Sequence, residues 1–276
     1  MALASLRSAL DLLRSPPSWL PGLAMGIFVA SAVVLQYFAG LFIAERLLVL
    51  EMITFPFFVA GLMELVRSGE RSFSSFAAGG ISGYFRVLLP SLIILFAILL
   101  TILLILIPLM ALGIAEAAVS FMALSVIITI LFFTSFYDAA AIIEGRSVFD
   151  AIRRSIEFVL QHSRDSVIFY LVSIIISFLV FFGAMVLWTA TLYDRISPLA
   201  SLNATEMQAF TLEQLNALLG VDGIIITSLF LVLAMAVSVS IIYGYKACLF
   251  RDLSEGSVEE PVQAGEYDSK GRWYKY

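Results

Sequence analysis

Six stretches of the chain are nearly unbroken runs of apolar residues: Gly22–Ala44, Leu47–Val66, Val87–Leu109, Ala111–Phe136, Ser166–Ala190 and Gly223–Tyr245. Each is close to the roughly 20 residues a helix needs to cross hydrocarbon. Lipid offers backbone N–H and C=O groups no partners, so each run predicts an α-helix. The alternating segments of a β-barrel, about ten residues each, are absent. The pattern predicts an all-α, polytopic transmembrane bundle of six helices, arranged as three helical hairpins joined by amphipathic elbow helices on one side.

The segments between the runs carry a second pattern. Leu3, Leu6, Leu10 and Leu13 recur at helical spacing, with Arg7, Asp11 and Arg14 on another face. This predicts a helix lying on the membrane surface over residues 1–21, broken by Ser15-Pro16-Pro17-Ser18 and anchored by Trp19. From Gly145 to Asp165, Val148, Ile152, Ile156, Val159 and Leu160 form an apolar row, and Arg153, Arg154, Glu157 and Gln161 a polar one. Ser147 with Asp150 gives a capping box there, and Gly145 ends the preceding helix. Ser68–Tyr84, with Phe73, Phe76, Gly79, Gly80 and Gly83, reads as a looser elbow. Short links are predicted at Glu45-Arg46 and near Pro108–Ala111. The longer link, Thr191–Asp222, holds a capping box at Thr211–Gln214 that predicts a short surface helix, and a glycosylation-like Asn203-Ala-Thr205. The membrane domain runs over 22–253, and an acidic tail over 254–276 reads as mobile.

Composition narrows the class. Hydrophobic residues make up 61% and charged residues 13%, against roughly 45–50% and 25% in soluble domains. That excludes a soluble enzyme, a disordered chain and a nucleic-acid-binding domain. Of the 16 Lys and Arg residues, fourteen fall on the side of the termini and even-numbered links, and only Arg46 and Arg195 on the other. The positive-inside rule then places both termini in the cytoplasm of a cell membrane. A single Cys, Cys248, excludes an internal disulfide, and a single His, His162, excludes a multi-His metal centre. No cofactor is expected.

Candidate chemistry is sparse. Ionisable groups inside a membrane are costly and mark functional sites by default. Glu51 and Glu116 lie about one turn inside the outer ends of their spans. They either meet as a cation or proton site or rest in the interfacial layer, Glu51 beside Arg46. Glu64 and Asp138 are placed at inner ends. Pro56 interrupts the second span and kinks it; a lone proline of this kind serves packing more often than it lines a site as the broken helices of transporters do, and no matching break is evident in spans four and six. Small residues form two rows, Gly22, Gly26 and Ala30, and Ala236, Ser240 and Gly244, which suit either packing of the first span on the last or a dimer face. Arg146, Arg153, Arg154 and Arg164 form a candidate surface for anionic lipid headgroups or a protein partner, or simply fix topology.

Two segments carry a family likeness. Tyr137-Asp-Ala-Ala-Ala-Ile-Ile-Glu-Gly-Arg-Ser-Val-Phe-Asp-Ala-Ile-Arg-Arg-Ser155 and Tyr245-Lys-Ala-Cys-Leu-Phe-Arg-Asp-Leu253 resemble a broad group of six-span prokaryotic membrane proteins. That group includes uncharacterised archaeal families and the membrane domain fused to some glycerophosphodiester phosphodiesterases. The resemblance implies a membrane module, not phosphodiesterase activity, and carries over no catalytic residue. The function expected is non-catalytic: an accessory, scaffold or membrane-organising role through the elbow helices. The alternatives are a transporter or channel for a small or lipid-like solute, and a membrane-embedded lipid-modifying enzyme. Partners expected are membrane lipids, with a protein partner or a second copy possible and no nucleic acid.

Overall fold

The computed structural model describes residues 2–113, 116–201, 203–256, 265–267 and 273–275. Helix α1 (Ala2–Leu12) leads through a 3-10 turn at Pro16–Trp19 into α2 (Leu20–Ala39). Then follow α3 (Leu41–Ser68), α4 (Phe73–Ala111), α5 (Glu116–Thr134), α6 (Tyr137–Ile143), α7 (Val148–Gln161) and α8 (Ser163–Thr191). The chain closes with α9 (Tyr193–Ile196), α10 (Ala204–Ala209) and α11 (Leu212–Gly256), the last bent at Gly220. In the tail, β1 (Gly265–Tyr267) pairs antiparallel with β2 (Trp273–Lys275). Six stretches are long and apolar enough to cross a membrane, α5 and α6 together making one. The protein is an integral, multi-pass membrane protein.

Three boundaries differ from those the hydropathy suggests, each for a backbone reason. The first link is not Glu45-Arg46 but Gly40, whose φ of +85° is a conformation that L side chains resist. Glu45 and Arg46 sit inside α3 instead. The looser elbow at Ser68–Tyr84 does not exist as a separate element: α4 runs unbroken for 39 residues, about 58 Å. Its glycines serve contact rather than turning. A Cβ on Gly80 would lie 2.6 Å from the Phe57 ring, and one on Gly83 2.6 Å from Ile142. Pro90 therefore lies in the interior of this helix. The fourth span is not continuous: it breaks at Ser135–Phe136 between α5 and α6.

The packing is not distributed evenly. Half of the apolar window of the second span is buried, against 11–12% in the third, fourth and fifth. The most extensive contacts join α2 to α11 and α3 to α4, so the tightest seams cross the succession of three hairpins. A dense core sits at the end of the bundle that holds both ends of the membrane domain. There Phe136, Phe158, Phe169, Tyr245 and Phe250 are buried against the close of α3 and one face of α1. A smaller cluster of Leu192, Leu219 and Ile224 ties the far end. Arg195 reinforces it, donating to the carbonyl of Leu219 beside the Gly220 bend and pairing with Asp222 at 3.0 Å. Thr211 and Gln214 make the reciprocal capping bonds there. Between the two tied ends the helices diverge, and cavities open.

The amphipathic segments dock on the bundle mainly by faces other than their apolar rows. In α1 the small face, Ala2, Ser5, Ala9 and Leu12, is buried on α11, and Ser5 Oγ donates to Asp252 at 2.6 Å. Leu3 and Leu10 point outward. In α7, of the apolar row Val148, Ile152, Ile156, Val159 and Leu160, Val159 alone is fully buried; Ala151, Ser155 and Phe158 supply the rest of the docked face. Ser147 does not cap the backbone, since its hydroxyl bonds the Asp150 carboxylate.

Candidate functional site

The break between α5 and α6 exposes backbone carbonyls that a continuous helix would have satisfied, and three side chains take them up. Ser155 Oγ, on α7, donates to the Phe133 carbonyl at 2.9 Å and accepts the Phe136 N–H at 3.0 Å. The Tyr170 hydroxyl, on α8, donates to the Phe132 carbonyl at 3.0 Å. Lys246 Nζ, on α11, donates to the Ser135 carbonyl at 3.4 Å. The break is thus over-determined by three other helices, as an interrupted helix at membrane depth must be.

The same lysine forms an ion pair with Asp138, the second residue of α6. The Asp138 side chain is 2% exposed and that of Lys246 9%. Asp138 Oδ1 also accepts the Ala139 N–H at 2.8 Å, and the ammonium sits 4.1 Å from the centre of the Tyr243 ring. In the sequence Asp138 reads as an inner-end residue and Lys246 as one of the fourteen cations on the side of the termini. The pair itself is not legible there, because the partners are 108 residues apart. The available signal was a lysine one residue past an apolar run, with an aspartate preceding three alanines.

The pair lies in the wall of a groove of about 660 Å³. One side is α4 and α5, which lean on each other; the other is α8 and α11. The groove is divided chemically. Thr134, Ser135, Tyr137, Tyr170, Tyr243 and the ion pair make one end polar. Ile94, Leu95, Ile98, Ile128, Leu131 and Ile174 make the remainder aliphatic. Ile128 and Ile174 are exposed, so the groove is open at the side where the helices meet lipid. Its volume is within the usual range for small-molecule sites.

A second chamber, about 260 Å³, shares the wall of Ser91, Tyr137 and Tyr243 with the groove. Glu51 and Pro56 both line it. Glu51 is 7% exposed, and its Oε1 is buried with no hydrogen-bond partner. Arg46 lies over the Phe42 ring, 4.1 Å from its centre, rather than on Glu51.

A family model described as "Domain of unknown function (DUF7847)" matches residues 1–253, which spans the bundle to the last turns of α11. The chain belongs to the DUF7847 family. No curated protein and no solved structure matches it. The family boundary coincides with the bundle, so the ion pair, groove and chamber all lie inside the DUF7847 domain.

The other candidate residues of this DUF7847 chain fall into place around them. Glu116 opens α5, but its side chain lies outside the described residues. Gly22 and Gly26 face α11: a Cβ on Gly26 would be 2.8 Å from the Val232 carbonyl, and one on Gly22 would strike Ala236 and Ser240. Ser240 Oγ donates to the Trp19 carbonyl at 3.3 Å, and Ser228 Oγ to that of Ala30 at 3.5 Å. Gly244 instead faces Leu12 and Ala9 of α1. Arg146 and Arg154 both hold Glu144, at 2.9 Å each, and Arg153 pairs with Glu157 at 2.8 Å. Three of the four elbow arginines are therefore matched within the protein, while Arg164 is exposed at the start of α8. The Asn203 side chain caps α10 through the Glu206 N–H at 2.9 Å.

Proposed function

We propose that this protein is a non-catalytic membrane carrier or binding protein for a lipid-like amphiphile, admitted sideways into the groove. The amphipathic division of that groove carries the reading. A polar head fits at the hydroxyl-lined end, where Lys246 offers protons to an anionic oxygen and Asp138 accepts from a donor. An acyl or isoprenoid tail fits along Ile94, Ile98, Ile128 and Ile174. The head would then sit near the bundle end that carries the termini, the depth a headgroup occupies in that leaflet. The fourteen-to-two cation bias supports assigning that leaflet to the cytoplasmic side. The test is photo-cross-linking in nanodiscs with a phospholipid bearing a photoreactive acyl chain. Adducts are expected on the groove's aliphatic wall, and Ile98→Trp, which fills the groove, should abolish them in a protein of unchanged elution and melting. Adducts scattered over all exposed helix faces, or unaffected by Ile98→Trp, would refute the reading.

A second reading, an accessory or scaffold that docks on anionic headgroups or a partner, draws on α7. Phe149, Ile156 and Leu160 are exposed beside the exposed Arg153, an arrangement suited to the interfacial layer. Against it stands the internal pairing of Arg146, Arg153 and Arg154. Arg153→Glu together with Arg164→Glu should weaken association with phosphatidylglycerol vesicles if this surface is the functional one.

A further inference from the structure

We propose that Glu51 is a proton-binding site linked to the groove, so that the amphiphile is bound or moved with a change in Glu51 protonation. The linkage rests on the carrier reading above; the proton site stands on its own geometry. Four observations lead to it. Glu51 is a carboxyl group more than nine-tenths buried, with an oxygen that no donor reaches. It faces a chamber rather than packed side chains. Pro56, five residues on in α3, has no N–H to give the Met52 carbonyl, so the same wall holds an acceptor without its helical partner. Finally, the chamber of Glu51 and the groove of the Asp138–Lys246 pair share a wall of three hydroxyl-bearing residues, Ser91, Tyr137 and Tyr243.

The surroundings favour a proton over other cargo. From α2 the chamber receives Met25, from α4 Val87 and Ser91, from α6 Tyr137 and from α11 Tyr243. The two tyrosines are the titratable groups facing Glu51, and among the described residues no Lys, Arg or His lines the chamber. An ionised carboxylate without a counter-charge is very costly there, whereas the neutral acid is not. Burial therefore favours the neutral, protonated acid, and ionisation needs a compensating change in the chamber or in the wall it shares with the groove. Ligand in the groove bears on the shared tyrosines, and through them on which form of Glu51 is favoured. By thermodynamic necessity, the protonation state bears equally on ligand affinity.

Dicyclohexylcarbodiimide tests the proton site in the full-length protein. A protonated carboxyl adds to the reagent: its oxygen bonds the central carbon, its proton passes to nitrogen, and the adduct rearranges to a stable acylurea. Labelling is expected at Glu51, found by peptide mass spectrometry, absent from Glu51→Gln, and falling about tenfold per pH unit above its midpoint. Protection by sodium ions at fixed pH would mark a metal-cation site and overturn the proposal, as would no labelling of Glu51 at any pH. Photolipid cross-linking over the same pH range tests the linkage. It should change with pH in the native protein and lose that dependence in Glu51→Gln, whose shape is nearly unchanged. Cross-linking that ignores pH while Glu51 still labels would overturn the linkage. Cross-linking absent at every pH, with labelling intact, would remove the carrier reading and the linkage with it.

Discussion

Removing the ammonium of Lys246 should damage this protein more than removing any exposed charge. Lys246→Met keeps the length of the side chain and deletes its three donors. The Asp138 carboxylate, 2% exposed, then keeps the Ala139 N–H as its one donor among the described residues, and the Ser135 carbonyl loses the donor that satisfied it at the helix break. Breaking one partner of a buried pair costs about 3–5 kcal/mol, because an uncompensated charge stays behind. Asp138→Leu should cost a similar amount by stranding the ammonium. The double replacement removes both charges and should recover most of the loss, leaving mainly the carbonyl, about 1–3 kcal/mol. Each kcal/mol corresponds to roughly 2–4 °C in melting temperature for a chain of this size. The assay is thermal unfolding of detergent-solubilised protein, followed by circular dichroism and size-exclusion chromatography, in a double-mutant cycle. Single variants as stable as the native chain, or a double variant showing the sum of both losses, would refute the pairing as the element that holds α6 to α11.

Other substitutions read other seams. Gly26→Leu places a side chain where the Val232 backbone already lies; overpacking of this kind costs about 1–3 kcal/mol, and the melting temperature should fall while Gly69→Ala, where a Cβ meets nothing but φ is +73°, should cost less. Arg154 is mostly buried on Glu144, so Arg154→Ala should lower stability by about 1.5–3 kcal/mol. Arg153→Ala breaks only an exposed pair, and a loss above about 0.5 kcal/mol in the same melting assay would contradict the geometry.

The difference between what a reader of the sequence sees and what the folded chain contains follows the range of each interaction. Partition into hydrocarbon depends on about 20 consecutive residues, so the six candidate spans were legible directly. Close-packed glycines were legible as rows, since Gly22 and Gly26 recur at helical spacing whatever they face. The same residue type misled at Gly79, Gly80 and Gly83, because a glycine that admits Phe57 or Ile142 and one that turns the chain are spelled alike. The turn at Gly40 is not legible in the sequence, where Glu45 and Arg46 mark a link more plainly; a positive φ, a tertiary property, makes Gly40 the turn.

The candidate site lay largely beyond the sequence. Glu51 and Pro56 were visible, being a charge and a proline within an apolar run, and they do line one chamber. That Arg46 would turn to Phe42 and leave the Glu51 carboxyl unpartnered depended on helix rotation. The break after Thr134 carries no glycine or proline; it is held by Ser155, Tyr170 and Lys246, each from a different helix. Hydrophobicity along the chain determined that this is a membrane protein and roughly where it crosses. Which polar atoms meet inside, and where the helices part to leave a groove, was decided by contacts between segments far apart in sequence, for which no local periodicity exists.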